Sequence, residues 1–451
     1  MFRINYIEPI IMIATLCRWF ILAVITGSVV GCGTTLFLKG LYSILGQTAS
    51  IPLWVQMVIL PLGGLLNGLM LFYAYRHVKS GNKDSVVAAV HEQEGKLPMK
   101  TMPIKPIAAI ITLASGGSAG KEGPCSHIGG SLASWIGHIL KLEPNLQKRM
   151  VACGVSAGFA SVFGTPIAGA IYGIEILTIG RLRYDIIFPA IISSIVSFEI
   201  SKWWGMTYRY FPIQVPPHFS ETLFLKVIVI GILCGLLAWL FIEVFEKTTT
   251  IFHLLQERFG IWPPFMPFIG GIIIALLIFG IPTLTSYLGL SLPIMEEALD
   301  GKSIPYSSIF WKILLVSITL GSGFYGGIVT PQFVIGALSG NMFANLLGVD
   351  PAFGAAIGMV AVVASASNTP LSAVFMGYEL FSGNIGIYVV GACITAYIVI
   401  GHRSVYPDQL VAFSKSLWMH ITPGIPLQNE KIHVSYGLLR KMEHVKRKWK
   451  S

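Results

Sequence analysis

The sequence predicts an all-α integral membrane protein made of two related halves, each with many tilted and discontinuous helices. Three observations predict it. Of 451 residues, 54% are hydrophobic and only 12% charged, against roughly 25% charged in aqueous domains. Apolar stretches of membrane-spanning length recur along the chain. Two glycine-rich breaks, Gly117-Ser-Ala-Gly-Lys-Glu-Gly-Pro124 and Gly326-Gly-Ile-Val-Thr-Pro331, interrupt apolar surroundings, and each runs into a helix.

The clearest spans are Trp19–Tyr42, Ile51–Tyr75, Ile186–Trp204, Leu223–Phe245, Phe268–Leu288 and Ile385–Ile400. Each approaches the roughly 20 residues that cross hydrocarbon. Regions 103–178 and 305–382 are apolar but cut by Gly, Ser and Pro, and read as short or broken helices. Roughly ten or more membrane segments are expected in all. The membrane domain is expected over 1–410, with repeat halves at about 50–210 and 220–410, followed by a short basic tail at 411–451 without a soluble regulatory domain.

The net charge is +10, and Arg440, Lys441, Lys446, Arg447, Lys448 and Lys450 concentrate it at the end. With no soluble domain beside it, the tail reads as a cytoplasmic terminus near anionic lipid, not a nucleic-acid arm. The cysteines, Cys17, Cys32, Cys125, Cys153, Cys234 and Cys393, lack CxxC spacing and read as small buried hydrophobes, so neither a metal nor a cofactor is expected. Glu8 and Pro9 interrupt any signal-peptide core.

The halves echo each other. Phe163-Gly-Thr-Pro-Ile-Ala-Gly-Ala-Ile-Tyr-Gly-Ile-Glu175 resembles Ser367-Asn-Thr-Pro-Leu-Ser-Ala-Val-Phe-Met-Gly-Tyr-Glu379 at an offset of 204 positions. Gly120–Pro124 pairs with Gly327–Pro331 at 207. Two halves that each carry a broken helix suggest a pseudo-two-fold transporter. A broken helix start exposes amide N–H groups, and glycine lets the backbone approach an ion closely. With the favourable dipole, paired breaks therefore make a membrane anion site.

A carboxylate at membrane depth costs roughly 3 kcal/mol or more unless neutral or paired. Glu122 stands at such a helix start, with Pro124 in the first turn, and is expected to plug the anion site and gate it; a fixed structural cap is the alternative. Lys121 either raises the local potential for anions or snorkels to the interface. In the second break, the N–H groups of Ile328 and Val329 are expected to face the anion. Gly81-Asn-Lys-Asp-Ser85 could open another helix with Asn82 near its start. In Ser404-Val-Tyr-Pro407, Tyr406 is either an interfacial anchor or an uncharged anion donor. Glu175 and Glu379, repeated in both halves, read as structural carboxylates. Gly154-Val-Ser-Ala-Gly158 matches a nucleophile-elbow string, which admits an intramembrane hydrolase using Ser156; small residues for tight helix packing are preferred.

In order, Gly120-Lys-Glu-Gly-Pro124, Phe163-Gly-Thr-Pro166, Gly327-Ile-Val-Thr-Pro331 and Ser404-Val-Tyr-Pro407 resemble the CLC family of chloride channels and proton-coupled chloride antiporters, over nearly the whole chain. The resemblance implies an inverted repeat and a homodimer in which each subunit has its own pathway. It implies Glu122 as the gate, anion contacts from the Ile328 and Val329 backbone, Asn82 and Tyr406, and Gly120, Lys121, Gly123, Pro124, Gly327 and Pro331 as supporting residues. The partners implied are chloride or similar monovalent anions, protons and the bilayer; separately, the absence of large soluble domains suggests a multi-pass protein of a prokaryotic inner membrane. The chain departs from the pattern in three ways. Asn82 replaces a serine. Val329 replaces a phenylalanine, which removes an aromatic constriction. Ile176 stands where many antiporters carry an internal proton glutamate, so passive conduction is the alternative to antiport. The fluoride-exporting branch usually carries another residue before its gating glutamate, so Lys121 argues against that branch.

Overall fold

The structure is a computed structural model that describes residues 7–48, 51–76, 85–214, 218–381 and 385–430, with the backbone of 433–434. Among these residues the first half contributes α1 (Glu8–Thr48), α2 (Leu53–Arg76), α3 (Val86–Glu92), α4 (Ile104–Ser115), α5 (Glu122–Ile139), α6 (Pro144–Phe163), α7 (Pro166–Glu175) and α8 (Tyr184–Trp203). The second contributes α9 (Glu221–Phe259), α10 (Phe265–Gly280), α11 (Leu292–Leu299), α12 (Ser307–Gly321), α13 (Val329–Leu347), α14 (Pro351–Ala366), α15 (Pro370–Phe381) and α16 (Gly386–Val399). Long and short helices recur in one order, so α1 pairs with α9 and each later helix with its counterpart. The equivalence thus begins at α1, upstream of position 50.

Four helices, α1, α2, α8 and α9, are long and apolar enough to cross a membrane; α10, α12, α14 and α16 are shorter apolar helices. The expected span Phe268–Leu288 is not continuous. Proline at 282 cannot extend α10, and Pro282–Tyr287 forms a 3-10 turn after Gly280. Regions 103–178 and 305–382 break into α4–α7 and α12–α15 as the Gly and Pro pattern requires.

Equivalent helices run antiparallel. A Cβ on Gly68 would meet Pro264 O at 2.5 Å and one on Gly271 would meet Pro61 Cα at 2.7 Å. Position rises along α2 as it falls along α10. The α7–α15 pair shows the same orientation through its ends. The Ile167 and Ala168 N–H groups donate to Glu379 at 2.9 Å each. The Leu371 and Ser372 N–H groups donate to Glu175 at 3.1 and 2.9 Å. Each carboxylate, late in its own helix, satisfies the open start of the other. Thr165 and Thr369 precede these starts, and neither hydroxyl has a partner among the described residues, because the glutamates hold the amides they would cap. Glu175 and Glu379 are thus a symmetric structural clasp.

Small residues set the core spacing. Gly129 on α5 lies on Gly154 O of α6, and Gly340 on α13 lies on Gly354 O of α14; a Cβ at either would overlap the facing carbonyl. Gly154-Val-Ser-Ala-Gly158 is therefore a packing motif. The Ser156 hydroxyl donates within 3.0 Å of Ala152 O and of Ala170 O, and Gly173 presses on it. After α16 the chain returns to the domain: strand β2 (Leu410–Val411) pairs in parallel with β1 (Thr178–Ile179).

Candidate functional site

The two breaks are bonded to each other. Gly120 N donates to Gly327 O at 2.7 Å and Gly327 N to Gly120 O at 2.8 Å, a two-residue antiparallel bridge between the halves. Glycine is required here by close approach: a Cβ on Gly123 would lie 3.0 Å from Gly327 Cα, and one on Gly120 or Gly327 would overlap the Glu122 carboxylate. The bridge sets the starts of α5 and α13 side by side.

Glu122 opens α5 and is 2% exposed. Its carboxylate does not cap its own helix. Oε1 accepts the Val329 N–H at 2.5 Å and Oε2 accepts the Thr330 hydroxyl at 2.6 Å, both at the start of α13. A negative oxygen therefore rests on an amide that the α13 dipole makes attractive to anions. Hydrogen bonds to charged groups contribute roughly 1.5–3 kcal/mol each, which offsets much of the cost of burial. Pro124 and Pro331 both fall in the first turns, where a missing N–H costs nothing.

Thr330 was not singled out from the sequence; only the partner helix shows that its hydroxyl completes the carboxylate cradle. It also floors a cavity of about 160 Å³ lined by Lys121, Phe163, Tyr208, Arg209 and Phe333 among others. Lys121 does not snorkel. It is 8% exposed, its Nζ donates to the Tyr42 hydroxyl at 2.5 Å, and it lies 5.1 Å from that ring's centre. Arg209 pairs with Glu296 at the same cavity. Val329 removes one aromatic, yet aromatics remain: the Phe163 and Phe333 rings stand 4.8 Å apart at the cavity wall. Phe163 continues through Phe159 to Tyr172 at centroid spacings of 4.8 and 3.8 Å.

Tyr172 leads to the other end of the site, its hydroxyl 2.8 Å from that of Tyr406. Tyr406 is fixed from behind: its N–H donates to Ser404 Oγ at 3.0 Å, Ser404 donates to Gln409 at 2.5 Å, and Gln409 donates to Ile176 O and Ser367 O at 2.9 and 3.0 Å. Tyr406 is thus no interfacial anchor. Ile176 is buried and contributes its carbonyl to this brace. Ile328 immediately precedes α13 and is 8% exposed. Asn82 lies outside the described residues; Ser85, at the end of its segment, caps α3.

Sequence reading also passed over Lys312 and Asn67. Lys312 on α12 is fully buried and makes no ion pair among the described residues. Its ammonium donates to Ser118 Oγ and Ser291 Oγ at 2.8 Å and to Tyr287 O at 3.2 Å, which pins the first break to the second half. A lysine inside Ile309-Phe-Trp-Lys-Ile-Leu-Leu315 was the available signal. Asn67 accepts the Tyr325 N–H at 3.2 Å and donates to Ala108 O and Thr112 Oγ1 at 2.7 Å, holding the second break against α4.

Comparison with known proteins identifies the family and the fold. The voltage gated chloride channel family model matches residues 63–401. A chloride/fluoride channel protein of Pseudomonas syringae is 33% identical over 413 residues, covering 90% of each chain. The crystal structure of a CLC-type fluoride/proton antiporter superposes with a TM-score of 0.80 at 27% identity, over 88% of this chain and 98% of that one. A slow cyanobacterial Cl⁻/H⁺ antiporter has the same fold, with a TM-score of 0.72 at 22% identity over 85% and 94% of the two chains. The chain belongs to the voltage-gated chloride channel, or CLC, family of integral membrane anion transport proteins. The expectation that Lys121 sets it apart from fluoride-exporting relatives gains no support, since two of these similar proteins carry fluoride in their names.

Proposed function

We propose that this protein moves chloride or similar small monovalent anions, fluoride included, across a prokaryotic inner membrane in exchange for protons, with Glu122 as the gate. One observation carries the reading: the Glu122 carboxylate occupies the Val329 amide at the α13 start, where a transported anion would sit. An anion arriving past Lys121 and Arg209 competes with the carboxylate, and a protonated Glu122 gives up its place. The Val329 and Ile328 amides, Thr330, Tyr406 and Asn82 then offer dipoles without fixed positive charge, firm enough to strip water and weak enough to release. Like its family, the protein is read as a transporter, not an enzyme, and works without a cofactor.

Ile176 favours the second reading, passive conduction, because isoleucine carries no proton. One assay separates the two. In liposomes holding the purified protein, an inward anion gradient should drive measurable proton movement; anion flux with no pH change would leave a passive channel. Lys312→Met removes the three hydrogen bonds behind the first break and should lower anion flux several-fold, with the melting temperature measured beside it to separate a transport loss from a folding loss. Unchanged flux would limit Lys312 to packing. The subunit is proposed to pair as a homodimer in which each subunit keeps its own pathway.

A further inference from the structure

Gln332 lies one turn into α13, past the amide that holds Glu122. It is fully buried, and its Nε2 has no hydrogen-bond partner among the described residues. Its Oε1 is fixed by the Ser367 hydroxyl at 2.9 Å, so the amide cannot turn to seek another acceptor. The Ser367 carbonyl accepts from Gln409, whose own carbonyl oxygen holds Ser404 behind Tyr406. Gln332 stands in the turn that begins at Val329, and through Ser367 and Gln409 its side chain joins the brace that holds Tyr406. A buried NH₂ without an acceptor costs its full desolvation unless something transient fills the place. Neutral and held from behind, it suits an anion that must bind and leave.

We propose that the Gln332 side-chain amide donates directly to the transported monovalent anion, holding it between the α13 amide end and the Tyr406 hydroxyl. The inference rests on the transport reading above and adds a side-chain contact to it. The donor favours small anions, because fluoride accepts hydrogen bonds more strongly than chloride or bromide.

Titration of fluoride, chloride and bromide into the purified full-length protein by calorimetry tests it. Gln332→Met keeps the length and removes both N–H groups. It should weaken fluoride binding about tenfold and bromide binding less, with the melting temperature retained. Gln332→Asn withdraws the donor by one methylene and should weaken binding in the same order; it decides the matter if the Met variant fails to fold. Halide affinities and their ranking unchanged in a folded variant would overturn the inference and leave water as the amide's partner. No anion binding to the wild-type protein would overturn the transport reading and the inference with it.

Discussion

Glu122→Gln should abolish proton movement driven by an anion gradient while anions still cross. The glutamine can accept the Val329 N–H in place of the carboxylate, so the local fold survives, but it neither competes as a charge nor carries a proton. Proton flux should fall by about 10²-fold or more, the scale of removing a positioned proton-transfer group, and anion flux should lose its dependence on pH. Glu122→Ala removes the plug altogether and should leave the α13 amide open, with faster anion flux. The sign follows from occupancy: an ionised Glu122 blocks the amide, so wild-type flux should rise as pH falls and the carboxylate is neutralised. Equal flux and equal pH dependence in the wild type and both variants would remove Glu122 from the gate and return it to the role of a fixed cap.

The second large effect belongs to a glycine. Gly327→Ala introduces a Cβ that overlaps Glu122 Oε1 and stands 2.8 Å from Gly123 N. The carboxylate has to leave the Val329 amide, and the Gly120–Gly327 bridge has to open or tilt. Overpacking of this kind costs roughly 1–3 kcal/mol, and anion flux should fall by an order of magnitude or more because the two helix starts no longer share one point. Gly46→Ala is the matched control, since a Cβ there meets nothing within 4 Å. Adding Glu122→Ala to Gly327→Ala should recover part of the flux, because it removes the larger of the two overlaps. If Gly327→Ala transports as the wild type does, the bridge is not what sets the site.

Much of this arrangement was legible in the chain itself. The breaks before α5 and α13, the Thr-Pro starts of α7 and α15, and the paired Glu175 and Glu379 announce themselves because glycine, proline and carboxylate are conspicuous in an apolar sequence. The motif order also carried the family. What stayed hidden were the partners. Nothing local says that Glu122 reaches across to α13 instead of its own helix, that Thr330 meets its second oxygen, or that Asn67 braces Tyr325 across 258 positions. Lys312 was visible but passed over, because a single lysine carries no pattern. The departure at Val329 suggests the loss of an aromatic constriction, whereas Phe163 and Phe333 bring rings to the cavity from two other places in the chain. Each miss is a long-range contact between halves, set by packing that no window of sequence contains.

The exchange of carboxylates between α7 and α15 bears on how the molecule can be assembled. Neither half can close its own helix start, so a fragment ending near 204 would reach the bilayer with the α7 amides bare, and one beginning near 220 would carry the same defect at α15. Severed there and produced together, the pieces should find each other in opposite orientations and recover anion flux, whereas either piece alone should be degraded.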